Sequence, residues 1–449
     1  MNILSQRNDT TIFDLSSKRA PRVIGSVLFL LSICYIAVFL FDVEPGEKIS
    51  LGILLFGLIS FFFLPKSIWF KPPLILMVLS ILWLVAAWAV VSSDFPDRAR
   101  SGPAVEDFID KFLFLFIGLA LAGSRYRERV FAAVLGAVIV LLPWISGDGF
   151  SALMAGLQGH REGFGLNPIR SGMLATFVFM FASVFLLFEV FSERKRKAVM
   201  ALAAVAVVWS LILVSVSQTR AVFVALLVVL ITGVPFVLHR IGVMQNRAGR
   251  KKFLIIIAIA LMALVSLDYG LGGKNIDRIK QGFSIIPLVA TEGVDELPQS
   301  SWGIRVIMLN IGLEQSAERP FWGWGYRSSD LILEDAHSAG VLDQEFSQFH
   351  NSYLEVLVEY GIVGVVLLLA VFLYLLSRLV ALIRPESQDL RLATASFLFL
   401  LFMLVFSFFD GILVQGSYGQ FIFNAVGGVA LSLHFRRAFL QPADVATAG

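Results

Sequence analysis

The sequence predicts an all-α polytopic membrane protein of about twelve transmembrane helices, and three observations carry that prediction. Hydrophobic residues make up 57% of the 449-residue chain and charged residues 15%, with 41 phenylalanines. That is more apolar surface than a soluble fold can hide. The apolar residues fall into runs close to the thickness of a hydrocarbon core. Lysine and arginine crowd into alternate connections between those runs, the asymmetry that orients membrane proteins.

Residues 1–21 are polar and end in Lys18 and Arg19, with Arg22 at the start of an apolar run to 41. That run is long enough to span and has no small-residue cleavage pattern after it, so it predicts a first span rather than a removable signal. Further runs fall at 48–64, 73–92, 106–122, 129–147, 171–191, 197–216, 219–238 and 252–268, giving nine spans within 22–268. The runs at 197–216 and 219–238 are so close that they form a tight helical hairpin. A polar segment, 269–349, separates these from three more runs at 353–380, 392–411 and 416–434, within 350–434; 435–449 forms a tail.

Sorting the connections by charge puts Lys66, Lys71, Arg125, Arg127, Arg129 and the Arg194–Lys197 run on one side. Arg240, Arg247, Arg250, Lys251, Lys252, Arg378, Arg384, Arg391, Arg436 and Arg437 join them. The other side holds mainly Lys48, Arg98, Arg100, Arg161, Arg170 and Arg220. Both termini are therefore expected in the cytoplasm, with 147–170 and 269–349 on the outer face. A loop of this length folds or functions. Trp302, Ile304, Val306, Ile307, Leu309, Ile311 and Leu313 suit an amphipathic helix, Pro320 stops it, and Trp322–Tyr326 reads as an aromatic turn. A small helical cap on the membrane surface is expected.

Absences narrow the chemistry. One cysteine, Cys34, excludes a disulfide within the chain and a cysteine zinc site. No Asp-x-Asp, His-Glu-x-x-His, Walker A or dinucleotide fingerprint occurs, and Asp343 with Glu345 is a weak pair in a solvated loop. No metal, cofactor or nucleic-acid partner is expected. Arg220 sits in the outer hairpin Ser217-Gln218-Thr219-Arg220, where it either snorkels or clamps an anion such as phosphate. Arg305 opens the amphipathic helix; alone it is an ordinary solvated arginine. Arg319 and Arg327 flank the aromatic turn, and Arg161 and Arg170 lie in the other outer loop before and after Asn167-Pro168.

His350 closes the long polar segment beside a predicted helix N-terminus, a place that favours anionic groups. Imidazole is a competent general base near neutrality, and Asn351, Ser352 or Tyr353 could orient it or a substrate. Glu355 and Glu359 lie on one helical face, where burial is costly without partners. Asp410 is a further acidic candidate.

Three stretches resemble the bacterial O-antigen ligase family, within a superfamily that includes O-antigen and exopolysaccharide polymerases. They are Ser217-Gln218-Thr219-Arg220, the segment Arg305 to Gly325 with Pro320-Phe321-Trp322-Gly323-Trp324-Gly325, and His350-Asn351-Ser352-Tyr353-Leu354-Glu355 through Gly361. The resemblance implies a GT-C-like inner-membrane glycosyltransferase working on the periplasmic side. It implies a glycan donor on undecaprenyl diphosphate, a lipid A–core acceptor, membrane lipids as surroundings, and inversion without a metal. Carried onto this chain, Arg220 and Arg305 would hold the diphosphate and His350 would activate or position the acceptor hydroxyl. Arg161, Arg170, Arg319, Arg327, Asn351 and Tyr353 become substrate-binding candidates.

Other readings stay open. Arg161 and Gly172 satisfy an Arg-x10-Gly spacing described for polymerases, although 36 glycines make one such match cheap. A lipid-linked glycan transporter also has about twelve spans, but would carry repeats and polar residues at the bilayer midplane, whereas here they gather at the outer face. A non-catalytic scaffold would tolerate loss of His350.

Overall fold

The computed structural model describes residues 19–440 except 65–71, 97–101, 123, 193–194, 246, 295, 415 and most of 252–284. Every regular element among the described residues is helical. Helices α1 (Arg19–Val38) and α2 (Val43–Phe61) pack against each other, and Asp42 starts α2 by accepting the Glu44 N–H. They are followed by α3 (Pro72–Asp94), α4 (Val105–Ile109), α5 (Leu113–Leu121), α6 (Arg125–Val140), α7 (Leu142–Ile145) and α8 (Phe150–Leu157). Then come α9 (Pro168–Phe191), α10 (Lys197–Ser217) and α11 (Arg220–Arg240), with only Gln218 and Thr219 joining the last two. The chain continues with α12 (Ile285–Glu292), α13 (Gly303–Glu318), α14 (Ser328–Ser338), α15 (Ser352–Val380), α16 (Leu390–Phe406) and α17 (Ser417–Leu440).

Six helices among the described residues are long and apolar enough to cross a bilayer: α1 from Pro21, α3, α9, α10, α11 and α15. Twelve spans were expected, and the other expected segments among the described residues depart from single long apolar helices for local reasons. The segment 48–64 forms α2, which begins earlier and takes in Glu44, Glu47 and Lys48. The segment 106–122 is broken into α4, a 3-10 turn at Asp110–Phe112 and α5, whose nine residues reach only roughly 14 Å. Asn424 of α17 satisfies that break, accepting the Phe114 N–H at 3.0 Å and donating to the Asp110 carbonyl at 2.8 Å. The segment 129–147 divides into α6 and α7 just before Pro143, which cannot donate an interior helix bond. The segment 392–411 yields the 17-residue α16, and α17 runs past the expected end of its span into the predicted tail. The expected span 252–268 falls outside the described residues.

The core lies where α9, α11, α15 and α17 pack around α16, with α5 packed against α17. All nine residues of α5 are buried. Helix α17 approaches it closely because a side chain at Gly428 would meet Ile117 Cγ2 at 2.5 Å, so only glycine lets the backbones come together. Phe399, Phe402 and Phe406 stack down one side of α16, with ring centroids 5.7 and 5.3 Å apart. At the end of the bundle where α9 finishes and α16 begins, basic residues counted as cytoplasmic-side charge are paired with carboxylates. Glu189 accepts from both Arg196 and Arg391. Arg436 contacts Glu128 at 2.9 Å and Asp389 at 2.7 Å.

The segment before α15 has its own core of Ile304, Met308, Leu333, Phe349 and Leu354. The expected amphipathic helix is α13, which stops at Glu318, short of Pro320. The aromatic turn then docks onto a break in α15. Gly361 has φ 66° and ψ −170°, which interrupts the helix and frees backbone groups that must find partners. Trp324 N–H donates to Val358 O at 2.8 Å, Gly325 N–H to Glu359 O at 2.9 Å, and Ile362 N–H to Pro320 O at 2.8 Å. Trp83 Nε1 of α3 donates to Tyr360 O at 2.9 Å, and its ring stacks on Trp322 at 4.6 Å.

Candidate active site

Arg161, Arg220, Arg305 and His350 line a single cavity of about 340 Å³. They arrive from four separate parts of the chain, and the local sequence explains each arrival. Helix α10 ends at Ser217, Gln218 turns left-handed at φ 47°, and Arg220 opens α11. The loop bearing Arg161 is stitched to this tip. Gln218 Nε2 donates to Gly159 O at 2.9 Å, Thr219 Oγ1 to Pro168 O at 3.1 Å, and Glu162 N–H to Val216 O at 3.2 Å. Arg161 Nε then donates to Ser217 O at 3.4 Å. Arg220 Nη2 donates to Ser301 Oγ at 3.1 Å, and its guanidinium lies 5.6 Å from the Trp302 ring centre, a cation–π contact.

The turn after α16, residues 407–410, fixes the other half. Arg305 Nη1 donates to Phe409 O at 2.7 Å. Ser352 N–H donates to Ser407 O and its hydroxyl to Asp410 O, both at 2.8 Å. Burial draws the Arg305 guanidinium below its ordinary value, and the Asp410 carboxylate opposes that effect. Arginine stays protonated nonetheless.

His350 has φ 52°, a left-handed conformation that histidine tolerates better than most residues. The Phe349 N–H donates to the buried Glu355 carboxylate, which fixes the chain directly before it. Nδ1 of His350 lies 3.8 Å from Asp410 Oδ2, beyond hydrogen-bond length. Neither that nitrogen nor the indole N–H of Trp302 makes a hydrogen bond among the described residues. Phe346, Phe409, Ile304 and Met308 supply apolar wall between the polar groups.

The remaining sequence candidates do not line this cavity. Arg170 lies 5.5 Å from the Tyr418 ring centre. Asn351 caps α15, its side chain accepting from the Tyr353 and Leu354 N–H groups at 3.0 and 3.2 Å. Tyr353 donates to Leu404 O at 2.5 Å and packs on Phe408. Arg319 pairs with Asp94 at 2.7 Å and sits against Phe95 and Trp324. Arg327 adopts φ 55°, gives its backbone N–H to Glu359 Oε1 at 3.0 Å and faces Tyr326. Conversely, Gln299, Ser301 and Gln344 line the cavity and carried no sequence signal, because isolated polar residues in a polar loop have no distinguishing pattern. Asp410 beside His350 was visible only as a carboxylate at a span end.

The fold and this cluster define a multi-pass helical membrane protein with a cation-lined cavity where several helices end. The family model described as O-antigen ligase matches residues 205–369, so that part of the chain is similar to the O-antigen ligase family. The match takes in Arg220, Arg305 and His350 but not Arg161 or Asp410. No curated protein matches the chain.

Proposed function

We propose that the protein is a membrane glycosyltransferase of the O-antigen ligase type, moving a glycan from undecaprenyl diphosphate to the lipid A–core without a metal. The observation that carries this reading is the convergence of Arg161, Arg220, Arg305 and His350 on one cavity within a chain that matches that family. Guanidinium groups preorganised around a departing diphosphate offset its developing charge, and arginine is suited to bidentate phosphate contacts. In this role Arg220 and Arg305 hold the diphosphate, with Arg161 at the same wall. His350 takes the proton of the acceptor hydroxyl as oxygen attacks the anomeric carbon. The carbon–oxygen bond to diphosphate breaks, and configuration inverts.

The same reading sets the surroundings. The protein is a GT-C-like enzyme of the bacterial inner membrane with about twelve spans, both termini in the cytoplasm, and segment 269–349 as a helical periplasmic cap. The Lys and Arg asymmetry supports that orientation. The polyprenyl tail of the donor stays in the bilayer, because its apolar chain gains nothing by leaving.

The test uses purified protein, undecaprenyl-diphosphate-linked glycan and lipid A–core with chelator present. Transfer to lipid A–core is expected from the wild type, and His350→Ala should lower it by on the order of 10²–10⁴-fold. Arg220→Ala should cost on the order of 10²-fold. Lengthening of the glycan on its carrier would instead make the protein a polymerase. No product from folded protein with competent substrates would remove the transferase reading.

A further inference from the structure

A second amphipathic recess lies at the opposite end of α9, α11 and α16, one helix length from the candidate active site. Its mouth is a cavity of about 390 Å³ bordered by Ser192, Ser387, Gln388 and Arg391. It continues into an apolar slot of about 160 Å³ between the same three helices. Leu187, Phe188, Leu238 and Ile241 border both, so the two are one space.

The polarity of the recess is ordered along α16. Arg391 is at the mouth, Thr394 lies one turn deeper in the slot, and Leu398 lies one turn beyond that. The spacing i, i+3, i+7 puts all three on one helical face. Thr394 is 2% exposed, yet its hydroxyl makes no hydrogen bond among the described residues. A buried hydroxyl facing apolar walls is costly without an acceptor. At the mouth, Arg391 and Arg196 share the single carboxylate Glu189, so the trio carries one surplus positive charge. Asp389 is engaged by Arg436 at 2.7 Å and does not cancel it. The first turn of α16 adds backbone N–H groups to the same mouth, where Asp389 at the N-cap makes no side-chain capping bond.

We propose that this recess binds an anionic glycerophospholipid from the leaflet at that end of the helices. Cation, hydroxyl and hydrocarbon follow one another down the face in the order in which such a lipid presents phosphate, ester carbonyl and acyl chain. The phosphate meets Arg391 and the α16 N-terminus, an ester carbonyl accepts from Thr394 Oγ1, and one acyl chain fills the slot beside Leu398. A polyprenyl phosphate would satisfy the first and last positions but has no ester for the middle one.

The full-length protein, stripped of lipid in detergent, would be titrated with phosphatidylglycerol, phosphatidylcholine and undecaprenyl phosphate, with bound lipid read by native mass spectrometry. Phosphatidylglycerol is expected to bind at least about tenfold more tightly than phosphatidylcholine: both present a phosphate to Arg391, but only choline brings a quaternary ammonium up to the surplus positive charge of the mouth. Arg391→Gln should weaken it about tenfold, and Thr394→Val, which removes the hydroxyl at nearly constant volume, about threefold. Leu230→Trp, which fills the slot from α11, should reduce binding independently of Arg391. It keeps the test decisive should the Arg391 variant fail to fold. Equal binding of the two phospholipids would overturn the proposal. So would wild-type retention of phosphatidylglycerol by folded Thr394→Val and Leu230→Trp proteins. Preference for undecaprenyl phosphate, unaffected by Thr394→Val, would overturn the glycerophospholipid assignment in favour of a polyprenyl site.

Discussion

The two ends of the segment from Arg305 to Gly361 are built from different atoms. At the cavity, side-chain heads do the work: the guanidinium of Arg305 and the imidazole of His350 face a shared space beside Arg220 and Arg161. At the aromatic turn, the backbone does it. Trp324 and Gly325 N–H groups cap carbonyls freed by the break at Gly361, and Pro320 returns a carbonyl to Ile362. Arg319 and Arg327 belong to this second end, held by Asp94 and by aromatic faces. Equally distinctive stretches of sequence thus serve unlike ends: one lines the cavity with charged and polar heads, and the other satisfies the backbone at the break in α15.

Substitutions at the two ends should separate rate from stability. The largest effect on rate belongs to His350→Ala, with the loss of transfer given above and a stability loss of at most about 1 kcal/mol, since the side chain hydrogen-bonds little but alanine suits the left-handed φ of 52° less well than histidine. Arg305→Gln should cost on the order of 10²-fold in rate together with about 1 kcal/mol of stability, because the bond to Phe409 O is weakened. Thermal unfolding in detergent alongside the transfer assay reads both. Gly361→Ala should invert the pattern. A methyl there would lie 2.0 Å from Phe321 O at a φ that alanine rarely adopts, costing on the order of 3 kcal/mol. The surviving folded fraction should transfer at close to the wild-type rate per molecule. A folded Gly361→Ala protein with wild-type stability would show that the break is not required.

The legible part of this molecule is the part set by local pattern. Apolar run length gave the hairpin of α10 and α11 and the start of α15 at the Asn351 cap, and Pro320 marked the end of α13. Runs misled where a tertiary partner overrides the pattern. The break before α5 depends on Asn424, 310 residues later than Phe114, whose N–H it accepts. That Arg220, Arg305 and His350 share one cavity was expected from their chemistry and from the resemblance. The turn 407–410 that holds Arg305 directly, and the start of α15 after His350 through Ser352, was not, because it contributes backbone carbonyls, which every residue possesses. The same reason hid the architectural role of Arg319 and Arg327: a cation looks alike in sequence whether it meets a substrate or an aspartate.

The smallest expected effect is the sharpest test of the contrast. Trp83 does not line the cavity. It donates its indole N–H to Tyr360 O, next to the break, and stacks on Trp322 of the turn. Trp83→Phe removes the donor while leaving an aromatic ring to stack, so the Tyr360 carbonyl loses one partner and the turn keeps most of its packing. The expected cost is about 1 kcal/mol of stability, the worth of one neutral hydrogen bond, with kcat and KM for transfer within about twofold of wild type, since no residue lining the cavity is changed. A tenfold fall in kcat at unchanged stability would mean that the brace transmits its geometry to His350 through the first turns of α15. The two ends would then have to be treated as one functional unit rather than as a site and its support.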